Sequence, residues 1–194
     1  MGGTPIGPVD RSRIREEDLA LARRAAAGDR VALHAVVDRH ADALYRLARA
    51  LCPTAADAED VVQDTLIAAF GALRGFDGRA SLLTWMSRIL VRRARRLGRK
   101  LRSRQPLSLD EASDAPGTDA RLLAAPDDED CRLDLAAALP ALPPEYREVI
   151  VLRELHGMSY AEIAATLGIP QGTVESRIHR ARCELRERLR AYRP

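Results

Sequence analysis

Apolar residues recur at spacings of three and four along most of the chain, and the breaks fall at glycine, proline and capping residues, which predicts helices. A first periodic stretch covers residues 19–27 and stops at Gly28. Asp29 is placed to cap a second helix, with Val31, Ala35, Leu44, Leu47 and Leu51 on its apolar side and Pro53 after its end. Thr54 with Asp57 three residues on is a carboxylate variant of the capping box. The third helix that it opens carries a stripe of Val62, Leu66, Ala69, Phe70 and Leu73 and ends at Gly75. A loop over residues 74–80 follows, and Ser81 caps a fourth helix containing Trp85, Met86, Ile89 and Leu90. No segment shows sustained β alternation or an Asn-Gly hairpin signal. The pattern predicts an all-α protein.

Further on, Pro143-Pro144 opens a helix at Glu145, where a missing N–H costs nothing, with Val149, Ile150 and Leu152 to Leu155 inward and Gly157 at its end. Ser159 and Glu162 form a capping box for a short helix with Ile163, Ala164 and Leu167 inward. Gly168 supplies the left-handed residue that ends it, Ile169-Pro170 turns the chain, and Thr173 starts a long helix with Val174, Ile178, Ala181 and Leu185 inside. Two helices joined by a turn of about four residues describe a helix-turn-helix, whose second helix enters the DNA major groove. Thr173, Glu175, Ser176, Arg177 and Arg180 then reach base edges or phosphates, and Arg182, Arg186 and Arg190 form a solvated face or phosphate contacts.

Charge divides the 194 residues more sharply than the net +3 suggests. Residues 84–104 hold nine basic side chains and no acid; residues 106–134 hold nine acids against two arginines; residues 171–194 hold seven arginines against three glutamates. The acidic strip also carries Pro106, Pro116, Gly117 and Pro126 without an apolar period, so it reads as a linker. The expected organisation is a flexible tail (1–15), a first helical domain (16–100), the linker (101–134) and a second helical domain (135–194). Aromatic residues are 4%, which disfavours a β-sandwich or barrel. Cys52, Cys131 and Cys183 are odd in number and dispersed, which excludes a disulfide scaffold and zinc-knuckle spacing. No apolar run reaches the 18 or more residues of a membrane span, and the first 15 residues lack the apolar block of a signal peptide. A reducing cytoplasm, no membrane insertion and no cofactor are the expectations.

Leu142-Pro-Pro-Glu-Tyr-Arg-Glu-Val149, Ser159-Tyr-Ala-Glu-Ile-Ala164 and Gly172-Thr-Val-Glu-Ser-Arg-Ile-His-Arg-Ala-Arg182 resemble domain four of bacterial RNA polymerase sigma factors. Asp57-Ala-Glu-Asp60-Val-Val-Gln63-Asp64 and Phe76-Asp-Gly-Arg-Ala-Ser81-Leu-Leu-Thr-Trp85 resemble domain two. The closest group is the compact extracytoplasmic-function class. The resemblance implies a transcription initiation factor, not an enzyme, that binds core RNA polymerase and directs it to promoters. It places docking on the polymerase clamp at Asp57, Asp60, Gln63 and Asp64, where the spacing by itself gives one acidic stripe. It assigns the −10 element to Arg74, Phe76, Asp77, Arg79 and Ser81 of the loop and to Arg88, Arg92, Arg95, Arg96 and Arg99 of the fourth helix. Arg92 stands where the family often has asparagine, and Glu175 where it often has Lys or Arg, which leaves the base preference at both open. The −35 element falls to the helix-turn-helix, and an anti-sigma protein is an implied partner. About four neutralised phosphates on the arginine helix predict a log–log salt slope of roughly −3 to −4.

Melting ten base-pair steps costs roughly 14 kcal/mol at about 1.4 per step. Specific DNA binding by a whole protein is typically worth about 11–15 kcal/mol. A chain this small therefore needs the polymerase to hold open strands, and weak promoter binding by the free monomer is expected. Two other readings fit parts of the pattern. A dimeric operator-binding regulator would use the helix-turn-helix alone, and a DNA-processing enzyme would place metal on the Asp57, Asp60 and Asp64 carboxylates. Those acids diverge along one helix face, so no metal is expected there. Trp85 shares its side with Leu82, Met86 and Ile89 and reads as core rather than as a base-stacking platform. A redox or metal role for a cysteine points first to Cys131, in the linker.

Overall fold

The computed structural model describes residues 11–104, 138–139 and 141–192. Most of the acidic strip, with Cys131, and the first ten residues of the expected tail lie outside the described residues. Among the described residues seven α-helices are delimited: α1 (Arg11–Ala26), α2 (Arg30–Leu51), α3 (Ala55–Ala72), α4 (Leu82–Arg104), α5 (Pro144–Glu154), α6 (Tyr160–Leu167) and α7 (Gln171–Tyr192). A single 3-10 turn, Leu73–Gly75, follows α3, and no strand occurs among the described residues. Helices α1–α4 form one bundle, in which α2 packs on α1, α3 and α4; α5–α7 form a second, in which α7 packs on α5 and α6.

The local stop and start signals work as chemistry requires. Asp29 accepts from the Val31 and Ala32 N–H groups at 2.9 and 3.1 Å. Thr54 Oγ1 accepts from Asp57 N at 3.0 Å and donates to its carboxylate at 2.7 Å. The Ser159 hydroxyl accepts from Glu162 N while the Glu162 carboxylate accepts from Ser159 N at 2.9 Å, a complete capping box. Gly168 closes α6 at φ 68°, in the left-handed region that β-carbons disfavour.

Several expectations shift. α1 begins at Arg11, so residues 11–15 are helix rather than tail; the Arg13–Glu17 pair sits on its first turns and Ala22 and Ala25 bury its inner face. α4 continues to Arg104, past residue 100, and α7 begins at Gln171 rather than Thr173. On α2, Leu44 and Leu47 are fully buried, but Val31 is 72% exposed, because Ala32, Val36 and His40 set the inner face one position later. On α3 the fully buried line is Ala58, Val61, Thr65 and Ala69; Val62, Leu66 and Phe70 lean on its flank. Small residues and a threonine occupy that line because α2 and α4 both approach α3 closely, and Thr65 satisfies its hydroxyl by donating to Val61 O at 2.6 Å. On α7 the expected inner set Val174, Ile178, Ala181 and Leu185 is buried.

The two bundles share a seam. α2 contacts α5, and α4 contacts α6, so the buried residues of all helices belong to one continuous core.

Candidate nucleic-acid interface

The helix-turn-helix consists of α6, the Gly168 turn and α7. Ile163, Leu167, Val174 and Ile178 bury its inner faces and fix the angle at which α7 starts. Glu175, Ser176 and Arg180 are exposed at that start and Thr173 is half-buried. Glu175 accepts from Gln171 Nε2 at 3.1 Å, one turn back on α7, and Ser176 Oγ donates to Thr173 O at 3.0 Å. Arg177 is half-buried and faces the seam instead of standing free beside Arg180. Burial works to raise the Glu162 carboxyl; hydrogen bonds from the Ser159 N–H and hydroxyl, with Arg88 and Arg15 nearby, outweigh it and hold the group below its usual range.

The basic helix α4 does not present one continuous ridge. Arg92, Arg96 and Arg99 are exposed, whereas Arg88 and Arg95 are half-buried and turn toward α6. Arg95 donates to both Glu148 oxygens on α5 at 2.9 and 2.7 Å, and to Leu167 O, at the end of α6, at 2.8 Å. A planar guanidinium matches this arrangement: a two-pronged carboxylate pair plus the negative end of a helix. The set Arg88, Arg92, Arg95, Arg96 and Arg99, expected to face the −10 element together, thus splits, because the second bundle lies along one edge of the helix.

In the loop before α4, Arg74 and Arg79 are exposed, and Arg79 pairs with Asp77 at 3.1 Å through its Nε. Phe76 and Ser81 do not face outward. Phe76 is buried, with its ring 5.5 Å from that of half-buried Trp85, so the aromatic pair anchors the loop. Ser81 Oγ accepts from Thr84 N at 3.1 Å, capping α4. A second group at that helix start escaped the sequence reading: buried Asp18, from α1, accepts the Leu82 N–H at 2.8 Å. Nothing local marks it, since Asp18 directly follows Glu16 and Glu17 and only precedes the apolar stretch Leu19 to Ala22.

On α3, Asp60, Gln63 and Asp64 are exposed along one face. Asp57 is turned to Thr54, and Asp64 pairs with Arg93 at 3.1 Å, so the acids point to separate partners. Ile67, 64% exposed one turn beyond Asp64, extends that face with an apolar side chain the sequence pattern did not single out. Among the described residues no group of three or more His, Cys, Asp or Glu side chains could hold a metal ion. No described helix is long and apolar enough to cross a membrane.

Residues 36–104 match Sigma-70 region 2, and residues 132–185 match Sigma-70, region 4. CnrH, an RNA polymerase sigma factor of Cupriavidus metallidurans, is 38% identical over 194 residues, covering 93% of this chain and 95% of that one. The chain belongs to the sigma-70 family. Within it, the extracytoplasmic-function class is its group: SigE of Mycolicibacterium smegmatis, an ECF RNA polymerase sigma factor, is 39% identical over 171 residues. That alignment covers 84% of this chain and 65% of the longer SigE. The solved structure of CnrH in complex with the cytosolic domain of CnrY superposes with a TM-score of 0.65, at 36% identity, over 90% of this chain and 97% of that one. A sigma factor RpoE from Bartonella quintana, solved with the anti-sigma factor NepR, gives a TM-score of 0.54 at 26% identity, over 92% and 98% of the two chains. This sigma factor is accordingly a transcription initiation factor that directs RNA polymerase to promoters.

Proposed function

We propose that this chain acts in the cytoplasm as a non-catalytic initiation subunit, with α1–α4 as the domain that docks on core polymerase and reads the −10 element, and α5–α7 as the domain that reads the −35 element. The observation that carries the assignment is the presence of both sigma-70 regions in order, each on its own helical bundle. Asp60, Gln63 and Asp64, exposed on α3, form the docking face for the polymerase clamp, with Asp57 at its edge. Arg92, Arg96 and Arg99 hold the −10 strand backbone, and Arg74, Asp77 and Arg79 frame the loop beside an extruded base, positioned by Phe76 and Ser81. Thr173, Glu175, Ser176 and Arg180 enter the −35 major groove, where a bidentate arginine–guanine pair discriminates by about 1–3 kcal/mol.

Arg88, Arg95 and Arg177 join these surfaces only when the seam opens, since in the closed arrangement they face the opposite bundle. Docking on polymerase supplies the energy to separate the bundles, which is why the free monomer binds promoters weakly. An anti-sigma protein that holds the bundles together keeps the factor inactive. Run-off transcription with bacterial core polymerase on a promoter library tests the assignment. Transcripts that depend on the chain and vanish with Asp60→Ala plus Asp64→Ala support it; failure of the wild-type chain to bind core overturns it.

A further inference from the structure

Where α4 passes α5 and the start of α7, the seam opens into a cleft of about 330 Å3. Five arginines line it: Arg95, Arg99 and Arg102 from α4, Arg147 from α5 and Arg177 from α7. Only two carboxylates, Glu145 and Glu148, share the lining, and Arg95 already takes both oxygens of Glu148. Arg147 donates to Leu142 O at 2.9 Å, which leaves the guanidinium groups of Arg99, Arg102 and Arg177 with Glu145 as the one remaining carboxylate of the lining. Arg99, Arg102 and Arg177 form no salt bridge among the described residues. The rest of the wall is Leu51, Ala94, Gly98 and Pro144, so a single large apolar side chain stands among the charged groups.

Charges closer together than the Debye length of about 8 Å at physiological ionic strength are screened poorly by solvent ions, and these arginines line one cleft. It lies at the small end of ligand sites, roughly 300–1,000 Å3, and its lining selects charge rather than hydrocarbon. A diphosphate or triphosphate chain supplies about three negative charges and several oxygens within such a volume, and guanidinium forks pair with phosphate oxygens two at a time. We propose that this cleft binds a compact polyphosphate anion, held by Arg99 and Arg102 on one bundle and by Arg177 on the other.

The anion bridges two bundles, so it binds the closed arrangement and stabilises it by mass action. Its effect on promoter recognition rests on the function proposed above, because it occupies Arg99 and Arg177; the binding itself does not.

The test is calorimetric titration of the full chain with inorganic pyrophosphate at fixed ionic strength, with sulfate as control and ATP as a second arm. The expected result is one saturable pyrophosphate site, a raised thermal midpoint, and slower amide exchange in α4 and α5. Equal affinity for ATP assigns recognition to the phosphates alone, and tighter ATP binding adds the nucleoside; both support the site. Arg102→Ser, at an exposed position outside the DNA-contact set, weakens binding about tenfold or more by removing charge-assisted hydrogen bonds. Gly98→Glu leaves the fold intact, because a β-carbon there meets only Arg102 Nη1 at 3.5 Å, yet it puts a carboxylate into the cleft and weakens binding at least as much. Sulfate binding equal to pyrophosphate, or unchanged affinity in both folded variants, would show diffuse association with a basic surface and overturn the proposal. Because the free chain is titrated, the result is independent of run-off transcription.

Discussion

Asp18 ties three helices together through one carboxylate. It sits on α1, accepts the first N–H of α4, and lies 3.7 Å from Arg39 on α2. Replacing it with alanine leaves a buried N–H without its acceptor, so Asp18→Ala is expected to lower unfolding free energy by about 1–3 kcal/mol, measured by urea denaturation. Cys52 gives the opposite lesson, a reactive group made inert. Burial, reinforced by Asp57 and only partly opposed by Arg49, pushes its thiol up to about 12. Thiol reagents at neutral pH should label Cys183, which is partly exposed, and leave Cys52 unmodified until the chain unfolds. Mass spectrometry of labelled peptides checks this, and early labelling of Cys52 would contradict the packing around α2.

At the scale of the helix, the caps decide where α6 starts and stops, and so how the recognition helix is presented. Ser159→Ala removes the acceptor for Glu162 N and is expected to cost about 1 kcal/mol, within the 0.5–2 range for such caps. The loss should appear in the thermal midpoint and in weaker −35 duplex binding by assembled polymerase. α4 shows the limit of helical periodicity. Five arginines follow one another with similar spacing, and the sequence offers no reason to separate them. Packing against α6 turns Arg88 and Arg95 into the seam and leaves Arg92, Arg96 and Arg99 to solvent.

For the whole molecule, the seam sets what the free protein can do. Glu148→Ala strands Arg95 without its carboxylate and weakens the closed arrangement. The expected outcome is faster amide exchange along α6 and a several-fold gain in the free chain's affinity for single-stranded −10 DNA, read by fluorescence anisotropy. Acid is expected to act on a histidine near the seam. Burial, with Arg46 of α2 adding repulsion, pushes the His156 imidazole from 6.5 down to about 4. Its neutral burial contributes fully above pH 6.5, and that contribution is lost as pH falls from there through about 4. Thermal midpoints of His156→Gln should therefore fall less steeply than wild type over this interval; parallel curves would remove the histidine from the account.

Much of the molecule is written in short stretches of chain. The caps at Asp29, Thr54, Ser81 and Ser159, the left-handed Gly168 and the inner line of α7 are legible because each depends on residues within a turn or two. The acidic and basic blocks, and with them the two promoter-facing surfaces proposed here, are equally local. Tertiary structure alone decided which side of α3 is innermost, since positions 61 and 62 are both valine and only the approach of α2 and α4 selects Val61. It also brought Asp18 to a helix 64 positions away and set Arg95 against Glu148, 53 positions distant. Spacing along a helix fixes which residues share a face; what that face meets is settled only when separate helices compete to bury their apolar surfaces against each other.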